Sequence, residues 1–149
     1  MKVTSILRNA MFLMLVVAAH SCSKTSETPA ANANTVPAII TSASWKVSSF
    51  TEVTEDKTSQ LASYIFTFSP DGSLTAVAAD KSTAGTWVWG GVSYYGVSGD
   101  PTLLTINLGT SSPFKLISRS WVIASKSNSS LELTSSEPAE RKRVVFTRQ

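Results

Sequence analysis

Beyond residue 44 the apolar positions fall on alternate residues, the period of a strand with one buried face. The residues at those positions are β-branched or aromatic, the types that fit a pleated, half-buried surface. About eight such runs are predicted, a number that closes a small barrel. The first spans 45–54, and the second spans 63–69 with Tyr64, Phe66 and Phe68 on one face. Ser69-Pro70-Asp71-Gly72 then reads as a tight turn, because Pro70 presets φ and Gly72 supplies φ > 0. Leu74, Ala76 and Ala78 carry a third strand, and Gly85 to Trp89 a fourth. Runs at 102–108, 120–125, 131–134 and 144–147 complete the set, while 112–118 is either a short strand or an irregular crossing. No long amphipathic helix competes with this pattern. Sequential strands joined by short turns predict an all-β, antiparallel up-and-down meander, which a closed barrel would free of exposed edges.

The N-terminal pattern is different. Lys2 and Arg8 precede the apolar run Met11 to Ala19, and the small-residue exit Ala19-His20-Ser21-Cys22 follows. This is the layout of a signal peptide over 1–21. The run is about half the ~20 residues a membrane-spanning helix requires. Ala19 and Ser21 also suit ordinary secretory cleavage, and Cys22 is what separates the two readings. Residues 23–43 are rich in Ser, Thr, Ala, Asn and Pro, so 22–43 reads as a flexible tether, with Pro29 and Pro37 set against an ordered helix. The domain proper is then 44–149.

Ala19-His20-Ser21-Cys22 resembles the lipobox of bacterial lipoproteins, although Ala19 stands where Leu is usual. The resemblance implies that the Cys22 thiol is acylated and becomes the mature N-terminus, and acyl chains at ~0.8 kcal/mol per buried CH₂ then anchor the protein to a membrane. No acidic cluster follows Cys22, so the expected location is the periplasmic face of an outer membrane. The domain resembles the lipocalin-like domains of bacterial lipoproteins. That resemblance is carried by Ala43-Ser44-Trp45-Lys46-Val47, Tyr64 through Gly72, Gly85-Thr86-Trp87, Leu131-Glu132-Leu133 and Val144 through Arg148. It implies that Trp45 packs at the barrel floor under an Arg of the closing strand, Arg148 before Arg143. Ala43 occupies the place of the family's usual Gly.

Composition removes more functions than it suggests. The chain has one His and one Cys, and the expected processing discards His20 and commits Cys22 to lipid. Neither a Ser-His-Asp or Cys-His nucleophile system nor a His/Cys zinc site can then be built. The remaining carboxylates, such as Asp71 and Asp80, read as turn chemistry, and no phosphate-binding loop is present. No enzyme activity, cofactor or metal is therefore expected. Loss of Lys2 and Arg8 leaves 11 basic against 10 acidic residues, too little positive charge for nucleic acid. Arg141-Lys142-Arg143 reads as a solvated edge.

Two uses of the barrel stand. The first is a binding module for a small apolar or glycan ligand, with Phe66, Phe68, Trp87, Trp89, Tyr94 and Tyr95 as its aromatic contacts. The second is an envelope protein-interaction or inhibitor module with a solid core, meeting its partner through Ile65, Val77 and the Tyr94-Tyr95 loop. A filled interior favours the second.

Overall fold

The first strand of the chain hydrogen-bonds to the last, which turns a meander into a closed barrel. The computed structural model describes residues 35–90 and 103–149. Its strands are β1 (Ser44–Glu52), β2 (Glu55–Asp56), β3 (Ile65–Phe68), β4 (Ser73–Ala78), β5 (Lys81–Gly90), β6 (Leu103–Asn107), β7 (Ser120–Lys126), β8 (Ser130–Ser135) and β9 (Lys142–Arg148). The sheet order is β2-β1-β3-β4-β5-β6-β7-β8-β9, every pair is antiparallel, and β1 also pairs with β9 from Trp45↔Arg148 to Glu52↔Lys142. Eight strands thus form the ring, and β2 is a two-residue flap on the far half of β1.

All eight predicted strands are present. Alternation marks their inner face: Trp45, Val47, Phe66, Phe68, Leu74, Ala76, Trp87, Leu104, Ile106, Trp121, Leu131, Leu133, Val144 and Phe146 are buried, and Tyr64, Trp89 and Ile123 pack partly buried against them. β1 keeps Phe50 inward across a bulge between Val47 and Ser49. The turn after β3 forms as its residues dictate. Gly72 takes φ +85°, its N–H donates to the Ser69 carbonyl at 3.0 Å, and the Asp71 carboxylate accepts from the Ser73 amide and hydroxyl at 2.9 and 2.7 Å.

The tether expected to run to residue 43 ends earlier. At Thr35 the chain enters a short helix, α1 (Val36–Ile40), whose Val36, Ile39 and Ile40 are buried. The i, i+3, i+4 spacing of those three puts them on one side of a single turn. Pro37 does not oppose this, because a proline in the first turn removes an N–H that has no helical partner. Thr35 caps the turn through its side chain, which accepts from the Ala38 amide.

α1 stops the end of the barrel at which β1 begins. The opposite end is stopped by two short 3₁₀ turns, Thr58–Gln60 followed by buried Leu61, and Phe114–Leu116 followed by buried Ile117. The ambiguous segment 112–118 is therefore a crossing that folds inward. One plug at each end is fastened by a tryptophan from the wall. The Trp45 indole N–H donates to the Ile40 carbonyl at 2.8 Å, and the Trp121 indole N–H donates to the Ile117 carbonyl at 2.9 Å. A buried indole N–H needs such a partner, and here the partner is a backbone group of the plug.

Candidate functional site

The expected ligand-contacting rings are placed in the barrel interior, where they touch one another. Phe66 meets Phe146 edge-on at 5.5 Å between centroids, Phe146 meets Phe68 at 6.2 Å, and Phe68 meets Trp87 at 5.9 Å. Edge-to-face pairs of this kind contribute about 0.5–1.5 kcal/mol each beyond the area they bury. Phe66, Phe68 and Trp87 are at most 6% exposed, and the Trp87 indole N–H is taken by the Ser69 carbonyl at 2.9 Å. Trp89, further along β5, is partly buried against the same cluster. These four side chains are brought together as packing. Tyr94 and Tyr95 lie outside the described residues, as do Cys22 and the expected signal peptide.

Trp45 is fully buried at the α1 end. Its expected Arg partner does not stack on it. Arg148 is opposite Trp45 in the ladder, but its exposed guanidinium donates to the carbonyls of Ser42 and Asn128, each at 3.3 Å. It thereby clamps the α1–β1 link to the β7–β8 turn. The cation over an indole is instead Arg119, 5.9 Å from the Trp121 ring centroid.

Outside the barrel the charges are unevenly spread. Around the far ends of β1 and β9, Glu52 pairs with Lys57 and with Lys142 at 3.1 Å, Lys142 reaches Glu140 at 3.5 Å, and Glu140 pairs with Arg119. Arg143 pairs with Glu132 at 2.7 Å, so two of the three cations of the 141–143 run are neutralised locally. The Lys57 ammonium, with that of Lys142, holds the Glu52 carboxyl below its ordinary 4.5. A lowered carboxyl pKa contributes stability that is complete above the unfolded value and lost as pH falls through the folded one. The urea midpoint of the wild type is accordingly expected to fall between about pH 5 and pH 3, and Glu52→Gln to flatten that decline; an unchanged slope would remove Glu52 from the account.

The outward positions of β3, β4 and β5 carry no charge. Ile65 and Val77 are cross-strand neighbours there, 40% and 42% exposed, and Val88 is 60% exposed. Thr67, Thr75, Ala84 and Thr86 fill the positions between them. At the rim nearest the 3₁₀ plugs, a cleft of about 640 Å³ separates the β4–β5 hairpin from the crossing segment. Tyr64 and Phe114, in edge contact at 4.9 Å, line it.

The fold has relatives that the sequence does not reveal. No family model matches the chain, and no curated protein does either. Among solved structures, a DUF4847 family protein from Bacteroides vulgatus superposes with a TM-score of 0.55 at 16% identity, covering 77% of this chain and 98% of that one. A lipocalin-like protein from Bacteroides uniformis gives a TM-score of 0.50 at 14% identity, with 73% and 98% coverage. The fold is a lipocalin-like barrel. At such identities the likeness is one of architecture, and the use of the barrel has to be argued from its sites. Among the described residues there is no group of three His, Cys, Asp or Glu side chains suited to a metal, and no helix long and apolar enough to cross a membrane.

Proposed function

We propose that this protein is a non-catalytic binding module, held to the bacterial envelope by lipid on Cys22 and working through the outside of a solid barrel. Its partner in this reading is an envelope protein, and inhibition of an envelope enzyme is one form the contact can take. The observation that carries the reading is the filled interior. Phe66, Phe68, Trp87 and Phe146 occupy the space a small apolar ligand would need, and both ends of the barrel are stopped by buried side chains. An interior ligand would have to displace rings whose burial stabilises the fold by about 1.5–3 kcal/mol each.

The uncharged outer face of β3 to β5 supports the choice of a protein partner. An exposed Ile and Val in register, with Thr and Ala around them on β3 to β5 and Lys46 of β1 opposite Ile65, form an apolar patch with a single cation at its edge, which suits a protein surface. The lipid anchor and the short tether keep such a surface close to a membrane, on the periplasmic side of an outer membrane by the reading of Cys22 and its neighbours.

The test pairs two variants of the full-length protein in its native envelope. Ile65→Lys combined with Val77→Lys is expected to abolish recovery of a specific cross-linked partner while leaving the melting temperature within a few degrees, because both side chains already face water. Recovery of the same partner at wild-type yield would overturn the surface assignment. Cys22→Ser is expected to lose palmitate labelling and membrane partitioning together; retention of both would overturn the anchor.

A further inference from the structure

We propose that the rim cleft floored by Tyr64 and Phe114 is a saccharide-binding site. The argument begins with hydrogen bonds that are not made. On the hairpin bank of the cleft stand the side chains of Asp80, Ser82 and Thr83, and on the crossing-segment bank those of Ser111 and Ser112. Not one of these, nor the Tyr64 hydroxyl, forms a side-chain hydrogen bond or ion pair with the described residues. Two of the other clefts are more fully satisfied. In the one beside β6 the Thr105 and Ser120 hydroxyls bond each other at 2.8 Å, and the Ser118 hydroxyl accepts from the Leu108 amide at 2.9 Å. In the one beside β2, Glu52, Lys57, Glu140 and Lys142 neutralise one another. A cleft beside β8 and β9 also holds such unpartnered groups, at Thr134, Ser136, Glu137 and Arg141, but of these four clefts the Tyr64 cleft is the one that sets them over aromatic rings.

The chemistry of the unused groups selects the ligand. Hydroxyls both donate and accept, so a rim made of them matches a ligand whose own groups do the same. Asp80 and Lys81 stand side by side at the hairpin with opposite charges, so the cleft has no net charge with which to favour an ion. The floor is apolar, with Leu108 and the Tyr64 and Phe114 rings beneath the hydroxyl rim. A pyranose has that same division, one face of C–H groups and a girdle of hydroxyls. The volume, about 640 Å³, falls within the range of small-molecule sites.

The cleft is also held firmly. Tyr64 contacts both Phe66 and Phe114, so its ring is fixed to the core on one side and to the crossing segment on the other. The Tyr64 amide donates to the Leu61 carbonyl at 3.1 Å, and the Lys115 amide donates to the Ser111 carbonyl at 2.9 Å. Preset walls lower the entropy lost when a flexible ligand binds. The cleft borders the protein-binding face at Ser82, the cross-strand partner of Val77, but its floor and its second bank lie off that face.

The experiment is saturation-transfer NMR on the full-length protein with two probe sets. One set is free neutral hexasaccharides (maltohexaose, cellohexaose and chitohexaose), and the other is the delipidated oligosaccharide of the outer-membrane lipopolysaccharide. Saturable transfer to a member of either set is the expected result, and the set that responds tells a soluble sugar from an envelope one. Tyr64→Ala is expected to weaken binding about tenfold or more, and Asp80→Ala with Ser82→Ala, both on the exposed hairpin, about three- to tenfold. Val88→Lys, on the outward face of β5 but away from the cleft, is expected to change nothing. No saturable transfer from any probe, or binding that survives both the Tyr64 and the hairpin variants, would overturn the proposal; if Tyr64→Ala fails to fold, the hairpin variant decides alone.

Discussion

Trp45→Ala is expected to be among the most damaging single changes in this protein, lowering stability by about 3–5 kcal/mol, the usual cost of emptying a large aromatic site. Trp45 is fully buried in β1 and also holds the Ile40 carbonyl. Truncation therefore leaves a void in the wall and an unpaired carbonyl in the plug above it. For a domain of this size the loss corresponds to a fall in Tm of roughly 10–25 °C. Arg148→Ala should cost far less, because its bonds are made by an exposed guanidinium to backbone oxygens. Thermal unfolding followed by circular dichroism checks both. If the Arg148 variant melts as low as the Trp45 variant, the α1 end is held by Arg148 and the plug account fails.

Gly85→Ala is expected to be nearly as severe, although it adds only a methyl group. A Cβ at position 85 would lie 2.0 Å from the Asn107 carbonyl oxygen and 3.0 Å from both the Asn107 carbonyl carbon and Leu108 Cα. All three are backbone atoms, so no side-chain rotation relieves the clash. The chain at Asn107 and Leu108 turns inward over β5 at this point, and position 85 faces inward with Trp87. Either β5 and β6 separate or the crossing segment lifts its buried Phe114 and Ile117. An overpacking cost of about 3 kcal/mol follows, at the upper end of the usual range. The urea midpoint measures it, and a variant as stable as wild type would mean that the close approach of β5 to the crossing segment is wrong. Gly72→Ala concerns a different property, the φ of +85° in the turn, and should be milder.

These two positions also mark how far the sequence could be read. The strands were legible because each buries one face, and period two records that directly. Trp45 was legible as a packed residue by its resemblance to the lipocalin-like pattern. Its partner was not, because an Arg on the closing strand can reach the indole or pass it, and here Arg148 finds carbonyls at Ser42 and Asn128 first. Helix α1 left a trace in Thr35, Pro37 and the spacing of Val36, Ile39 and Ile40, but one turn is too short for periodicity to separate from a Pro-containing linker. The inward crossing at 111–118 has apolar residues without a period, since a 3₁₀ turn that dives into a core need not keep one face wet.

The rim cleft was the least legible feature. It combines Tyr64 from the lead-in to β3, Asp80 to Thr83 from a hairpin, and Ser111 to Phe114 from the crossing. In the sequence those hydroxyls and that carboxylate look like ordinary turn residues. What distinguishes them is that the fold brings them to one place over aromatic rings and gives their side chains no partner among the described residues. The interior rings present the converse case. Phe66, Phe68 and Trp87 have the composition of a ligand pocket, and only their mutual distances show that they satisfy one another.

The pairing of β1 with β9 bears on how the chain reaches its fold. Trp45 must find Arg148, and Phe50 must find Val144, across almost the whole domain. Contacts this remote in sequence bring slow closure, because the entropy of gathering the intervening chain is lost before the ladder returns anything. During synthesis the meander from β3 to β8 can assemble in order from local hairpins, while β1 waits with one side unpaired. A chain interrupted before residue 142 has no seam to close: β1 and β8 would both remain as open edges, and open edges recruit other chains. The last seven strand residues therefore act as a completion signal, and a nascent barrel without them is exposed to the proteases and chaperones of its compartment.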